Sequence, residues 1–317
     1  MLSLGVQTWG TDVAALRHYW AAADELGYAR VTYGDGLWDF THDGWTMLAA
    51  LAASTGRARL GPAVTYAFDP SSHHPSWLAK RAVTIDHLSE GRLDLRLGIG
   101  AEDAATAAVW RSHGIPYPPA AERIARVDDC VQIMRALWRG TPVDHVGRVS
   151  TLKGARLEPR PVQRPGPPVW IAAMGPASLA LVARRADGWE ASHVTPEGFA
   201  TAWRALQRRL AAEGRSPAAL RRSVELDVAL AASPSDSWRV LVDFCAARGI
   251  TPAHPLSGAA LAGDAEAVAE RSAAYAAAGA TDLMLGFADF PATRMLEDFA
   301  VRVRPRLEAL MRRAEAR

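Results

Sequence analysis

The chain has 317 residues, 49% hydrophobic and 22% charged, with 36 basic against 34 acidic side chains and a net charge of +2. That is globular composition, which excludes disorder as a main theme, and the absence of a basic block argues against nucleic acid as a partner. No apolar run approaches the roughly 20 residues of a membrane span, MLSLGVQTWG has no leader pattern, and Cys130 and Cys245 make no disulfide framework. The expectation is a cytoplasmic protein with no membrane partner.

Residues 2–9 read as a strand, and a helix follows from the N-cap Asp12 to the stop at Gly27. Strand two is 29–35, and a helix covers 45–55. Strand three, 59–66, leads to a helix over 75–89 with proline in its first turn. Strand four is 92–100, followed by an irregular stretch and a helix over 121–138. Residues 141–160 hold two weak strand-like pieces. Strands five to eight are 168–174, 187–193, 223–233 and 281–287. Their helices are 177–186, 196–213, 236–248 and 292–313.

Eight strands, each followed by a helix, predict a (β/α)8 TIM barrel in one domain over 1–317. The insertions fall after strand four and before strand five. The strands are nearly continuous apolar runs, as parallel strands buried on both faces should be. A doubly wound open sheet is the competitor. Its glycine fingerprint is missing, because LGIGAED lacks the third glycine in place.

In such a barrel the chemistry sits at the C-terminal strand ends. That rule singles out Trp9, Asp35, Trp38, Thr65, His73, His74, Asp103, Met174, Gly175 and His193. The rim is rich in aromatics and glycine, which suit a flat ring ligand; each tryptophan alone is equally suited to capping the core. AAMGPAS (172–178) joins a strand to a helix with Pro176 at the helix start. The free N–H groups there suit a phosphate, and an ordinary tight turn is the other reading. Asp35 at a strand tip reads as a general base, a hydrogen-bonding anchor or a cap. The adjacent pair His73–His74 diverges, and no metal-ligand spacing appears. No nucleophile elbow or Cys–His signature is present.

Two longer segments carry a resemblance. HPSWLAKRAVTIDHLSEGRLDLRLGIG (74–100) and the stretch 122–189, with its LWRG, PPVWIAAMGP and ADGW pieces, resemble the bacterial-luciferase-like monooxygenase superfamily. The resemblance implies a (β/α)8 barrel, a homodimer, and FMN or the deazaflavin coenzyme F420. AAMGP and the aspartate at the strand-two tip are similar to the deazaflavin branch. By that resemblance the cofactor phosphate lies on Ala173, Met174, Gly175 and Ala177, and its ring near Asp35, Ala63, Val64, Thr65 and Thr106. It also implies a non-proline cis peptide at Ala63–Val64. Asp35, Asp103 and His74 are the expected catalytic groups; Trp9, Trp38, His73 and His193 are expected to meet a small-molecule substrate. Asp35-Gly36 stands where sugar-phosphate dehydrogenases of the branch carry Asp-His, which turns the expectation toward reduction of C=C or C=N bonds. The alternatives are an FMN-dependent monooxygenase served by a flavin reductase, and a non-catalytic binding barrel. Residues 101–120 are expected to cover the site as a lid.

Overall fold

The computed structural model describes residues 2–69, 73–148, 150–247 and 258–315. Its barrel strands are β1 (Ser3–Thr8), β2 (Arg30–Tyr33), β3 (Arg59–Pro62), β4 (Leu95–Gly98), β7 (Val169–Ala172), β8 (Gly188–Ser192), β9 (Arg221–Leu230) and β11 (Asp282–Phe287). All pair in parallel, in the order β3-β2-β1-β11-β9-β8-β7-β4. Two bridges, Leu60↔Leu93 and Thr65↔Leu97, bring the two ends of that order together. The sheet is therefore a nearly closed barrel and not an open, doubly wound sheet.

The helices wrap the barrel, and several begin on a side-chain cap and bury one stripe. α1 (Val13–Glu25) starts where Asp12 accepts from the Ala15 N–H, and it buries Leu16, Tyr19, Trp20 and Ala23. α2 (Gly44–Ser54) starts on Asp43 and α3 (Pro75–Leu88) on His74. Both insertions appear where expected. After β4 come α4 (Ala104–Ser112) and α5 (Ala120–Trp138); before β7 stands an antiparallel hairpin, β5 (Val143–Val146) with β6 (Thr151–Ala155). The hairpin is tied to α5 by His145, whose Nε2 lies 2.5 Å from Asp129 Oδ1. α6 (Pro176–Arg185), α7 (Pro196–Ala212) and α8 (Pro234–Ala247) follow β7, β8 and β9.

Four elements differ from the sequence expectation, the first being α4, a helix inside the stretch expected to be irregular. β10 (Leu261–Gly263) pairs with Val228–Leu230, beyond the point where β8 leaves β9. α9 (Ala265–Ala277) is so rich in alanine that its apolar stripe has little contrast. The expected last helix is three pieces: α10 (Arg294–Asp298), a π turn over Phe299–Val303 and α11 (Arg304–Glu315). Pro305 has no N–H to continue the α ladder, and a wider turn takes up the mismatch. No helix among the described residues is long and apolar enough to cross a membrane.

Candidate active site

The third strand is the irregular one. Between the two bridges, β3 advances from Leu60 to Thr65 while β4 advances only from Leu93 to Leu97. That is one extra residue, a bulge at the C-terminal end of the strand. The Ala63–Val64 peptide within it is cis, as the resemblance implies. Val64 leans onto β4, where a Cβ on Gly98 would come within 2.4 Å of Val64 Cγ2. Glycine there is a steric requirement of the bulge.

This bulge forms one wall of a cavity of about 670 Å³ at the C-terminal mouth. The opposite wall is the turn from β7 into α6, with Ala173, Met174, Gly175, Ala177 and Ser178. Gly175 is the N-cap of α6 and offers no side-chain hydrogen bond to the first turn. Pro176 has no N–H to satisfy, so the donors of the residues after it are open to a ligand. The floor is polar: Gln7, Glu190, Ser192 and Glu225 line it. Gln7 Nε2 donates to Glu225 Oε1 at 2.7 Å, and Ser192 Oγ donates to Glu225 Oε2 at 3.1 Å. Beneath them Arg96, 1% exposed, pairs with Glu190 and lies 4.5 Å from the Trp170 ring centroid. Burial lowers its pKa to about 10, with Asp94 opposing that shift.

Asp35 lies just behind the bulge. Thr65 Oγ1 donates to its Oδ2 at 2.5 Å, and His73 Nε2 is 3.9 Å from the same oxygen. Burial raises the Asp35 pKa above its ordinary value, while His73 and the Thr65 hydroxyl pull it back. Asp35, Trp38, His73 and Trp110 line a second cavity, of about 400 Å³. Ala63, Val64 and Thr65 thus adjoin Asp35, and Trp38 and His73 stand together beside it.

Other expected site residues do not join them. His74 caps α3: its Nδ1 accepts from the Ser76 N–H at 3.2 Å, and its Nε2 lies 3.1 Å from Ser150 Oγ. Asp103 caps α4, accepting from the Thr106 N–H at 2.7 Å and the Thr106 hydroxyl at 2.8 Å. Those bonds hold its carboxyl below the usual range. Asp103 and Thr106 are committed to each other, and neighbouring Glu102 lines the cavity instead. Trp9 packs between Phe244 and Phe290. His193, at φ 49°, turns its Nε2 to within 3.2 Å of Asp227.

Sequence reasoning passed over Glu225 and Arg123. Ser223, Glu225 and Asp227 alternate with Val224, Leu226 and Val228 along β9, and that period of two was the available signal. Arg123, 3% exposed, donates to the carbonyls of Ile99, Gly100, Ala101 and Pro118 and lies 4.3 Å from the Tyr117 ring centroid. It pins the segment after β4. Trp110 is buried there against Tyr66, Phe68 and Tyr117.

A larger cavity, about 770 Å³, opens at the opposite mouth. Of its five arginines, Arg30, Arg59 and Arg221 are committed to Asp94 and Asp282, and it lies away from the strand ends where barrel enzymes place chemistry.

A nearly closed (β/α)8 barrel, with an open helix N-terminus facing a bulged strand across its C-terminal mouth, puts a cavity where barrel enzymes place their chemistry. The family model for luciferase-like monooxygenases matches residues 3–285, and the chain belongs to that family. It is 32% identical over 176 residues to an F420-dependent glucose-6-phosphate dehydrogenase of Microbacterium testaceum (strain StLB037). That match spans 53% of this chain and 49% of the relative, so about half of the curated relative is matched. Among solved structures, the F420-dependent tetrahydromethanopterin reductase of Methanopyrus kandleri is similar at TM-score 0.80 and 18% identity, covering 96% of this chain and 99% of that one. An F420-dependent secondary alcohol dehydrogenase in complex with an F420-acetone adduct is similar at TM-score 0.81 and 16% identity, over 96% and 99% of the two chains. A monooxygenase from Streptomyces bottropensis reaches TM-score 0.76 at 23% identity, with coverage of 96% and 99%. At these identities the structures share the fold.

Proposed function

We propose that the chain is a coenzyme F420-dependent oxidoreductase, acting as a reductase on C=N or C=C bonds of a small organic substrate. The observation that carries this reading is the pairing, across one cavity, of the Ala63–Val64 bulge with the uncapped start of α6. A flat ring with a phosphorylated tail matches both ends: the bulge gives a shelf, and the helix start gives donors and a favourable dipole. The residues present fit the group, since Gly98 leaves the room that Val64 occupies and Gly175 leaves the helix donors open.

When bound, the deazaflavin would supply hydride; the protein would orient the ring and exclude water. Ala173, Met174, Gly175 and Ala177 would hold the phosphate. Ala63, Val64 and Thr65 would support the ring, with Asp35 fixed behind Thr65. Trp38 and His73 line the second cavity behind Thr65, so the substrate would be met by the floor residues of the first, Gln7, Glu190 and Glu225. The names of the F420-dependent relatives support this cofactor. A homodimer, carried over from the resemblance, belongs to the same proposal.

The family's own description favours a second reading, an FMN-dependent monooxygenase supplied by a flavin reductase. A titration of the purified protein with F420 and with FMN, followed by tryptophan fluorescence, separates the two. Tighter binding of F420 is the expected result. A preference for FMN overturns the proposal in favour of oxygen chemistry.

A further inference from the structure

The charge of the cavity floor points to a substrate class. Four charged side chains line the cavity: Glu102, Glu190, Glu225 and Arg123. The single lining cation has its donors taken by four backbone carbonyls and its face by Tyr117, which fix its direction without cancelling its charge. Glu225 is held by two neutral donors, Gln7 and Ser192, which orient the carboxylate without cancelling its charge. Glu190 is 4% exposed, and its Oε2 takes Arg96 from below. Its Oε1 has no hydrogen-bond partner among the described residues, although Glu190 lines the cavity. That oxygen is reached by solvent through the cavity, so it is free to accept from a ligand. The α6 end of the cavity suits an anion, and the floor is acidic.

We infer that the substrate reduced here carries a cationic nitrogen, held over Glu225 and Glu190, and that a protonated imine is the reducible group. This deepens the proposed function and rests on it. An anionic substrate such as a sugar phosphate would meet Glu102 and Glu225, with Glu190 already paired to Arg96, and a lining guanidinium whose donors are already taken. A cation is drawn in and oriented, and low-dielectric walls strengthen that attraction. The chemistry also balances without an acid at the site. A bound, reduced deazaflavin would supply hydride to the imine carbon, and the C=N π pair would move to nitrogen. That nitrogen keeps the proton it arrived with and leaves as a neutral amine. No proton donor is needed in the step, and His74 and Asp103 are helix caps.

The test uses three probes of one shape on the full chain, with and without F420: benzylamine, benzyl alcohol and benzoate, titrated by calorimetry at pH 7. Benzylammonium should bind about tenfold or more tighter than benzyl alcohol, and benzoate should bind more weakly than both. Glu225→Gln should bring benzylammonium and benzyl alcohol to within about threefold, while Glu225→Asp keeps part of the preference. Glu190→Gln leaves Arg96 unpaired and can lose the fold, so Glu225 carries the test. Equal binding of benzylammonium and benzyl alcohol overturns the inference. So does a Glu225→Gln protein that loses F420 and keeps its amine preference, because the carboxylate then serves the cofactor. If F420 fails to bind but the preference and its loss in Glu225→Gln stand, the proposed function falls and the cation site remains.

Discussion

The Thr65 hydroxyl donates to Asp35 Oδ2 at 2.5 Å, so the bulged end of strand three and the tip of strand two are joined. Thr65 is fully buried and Asp35 is nearly so. Replacing Thr65 with valine keeps the shape and removes a donor from a buried carboxylate. The expected cost is about 1–3 kcal/mol of folding stability, with about tenfold weaker binding of F420 as the shelf loosens. Urea unfolding and a fluorescence titration measure the two effects; unchanged values in both would refute the link.

The same aspartate sets a pH dependence. Burial raises its folded pKa above the ordinary 3.8. A raised carboxyl contributes stability that is fully present below pH 3.8 and is lost as pH rises through the folded value. Asp35→Asn removes that titration. The melting temperature of the variant, relative to the parent, should therefore be more favourable at pH 8 than at pH 4. A flat or reversed difference between those pH values would count against a raised carboxyl.

At the start of α6, one substitution should move stability and binding in opposite directions. Ala177 is exposed on the first turn and lines the cavity. An aspartate there complements the helix dipole, worth about 0.3–1 kcal/mol. It also repels a phosphate. Ala177→Asp should melt no lower than the parent, while its F420 affinity falls about tenfold or more. Undiminished affinity would show that the phosphate lies elsewhere.

Arg123 offers a test of how the segment after β4 is held. It ties residues 99–101 and Pro118 together through four carbonyls, with Tyr117 stacked on it. Lysine cannot reproduce that fork of donors. Arg123→Lys should speed limited proteolysis within 101–118, and bound F420 should slow it again. Identical cleavage of parent and variant would mean that the segment is held by its aromatic cluster alone.

Much of the barrel was legible, because parallel strands buried on both faces stand out as short apolar runs between helical stretches. Strand tips then located Asp35, Ala63, Thr65, Trp38 and Met174 near the two upper cavities. What the sequence could not distinguish was a polar side chain facing the mouth from one folded back onto its own helix. His74 and Asp103 sit at the right height and spend their acceptors on the N–H groups of Ser76 and Thr106. Capping is a property of local backbone geometry, invisible until the first turn is placed. β10 is three residues long, and α9 is mostly alanine, so neither has a periodic signal of its own.

The extra residue in strand three has an evolutionary reading. Deleting Ala63 would let β3 and β4 run in matched register, and the barrel would close more regularly. Selection for a well-made barrel alone would favour that deletion. The irregularity is then a signature of use, and chains of this architecture that have lost it should have turned to ligands other than a flat ring, or to none.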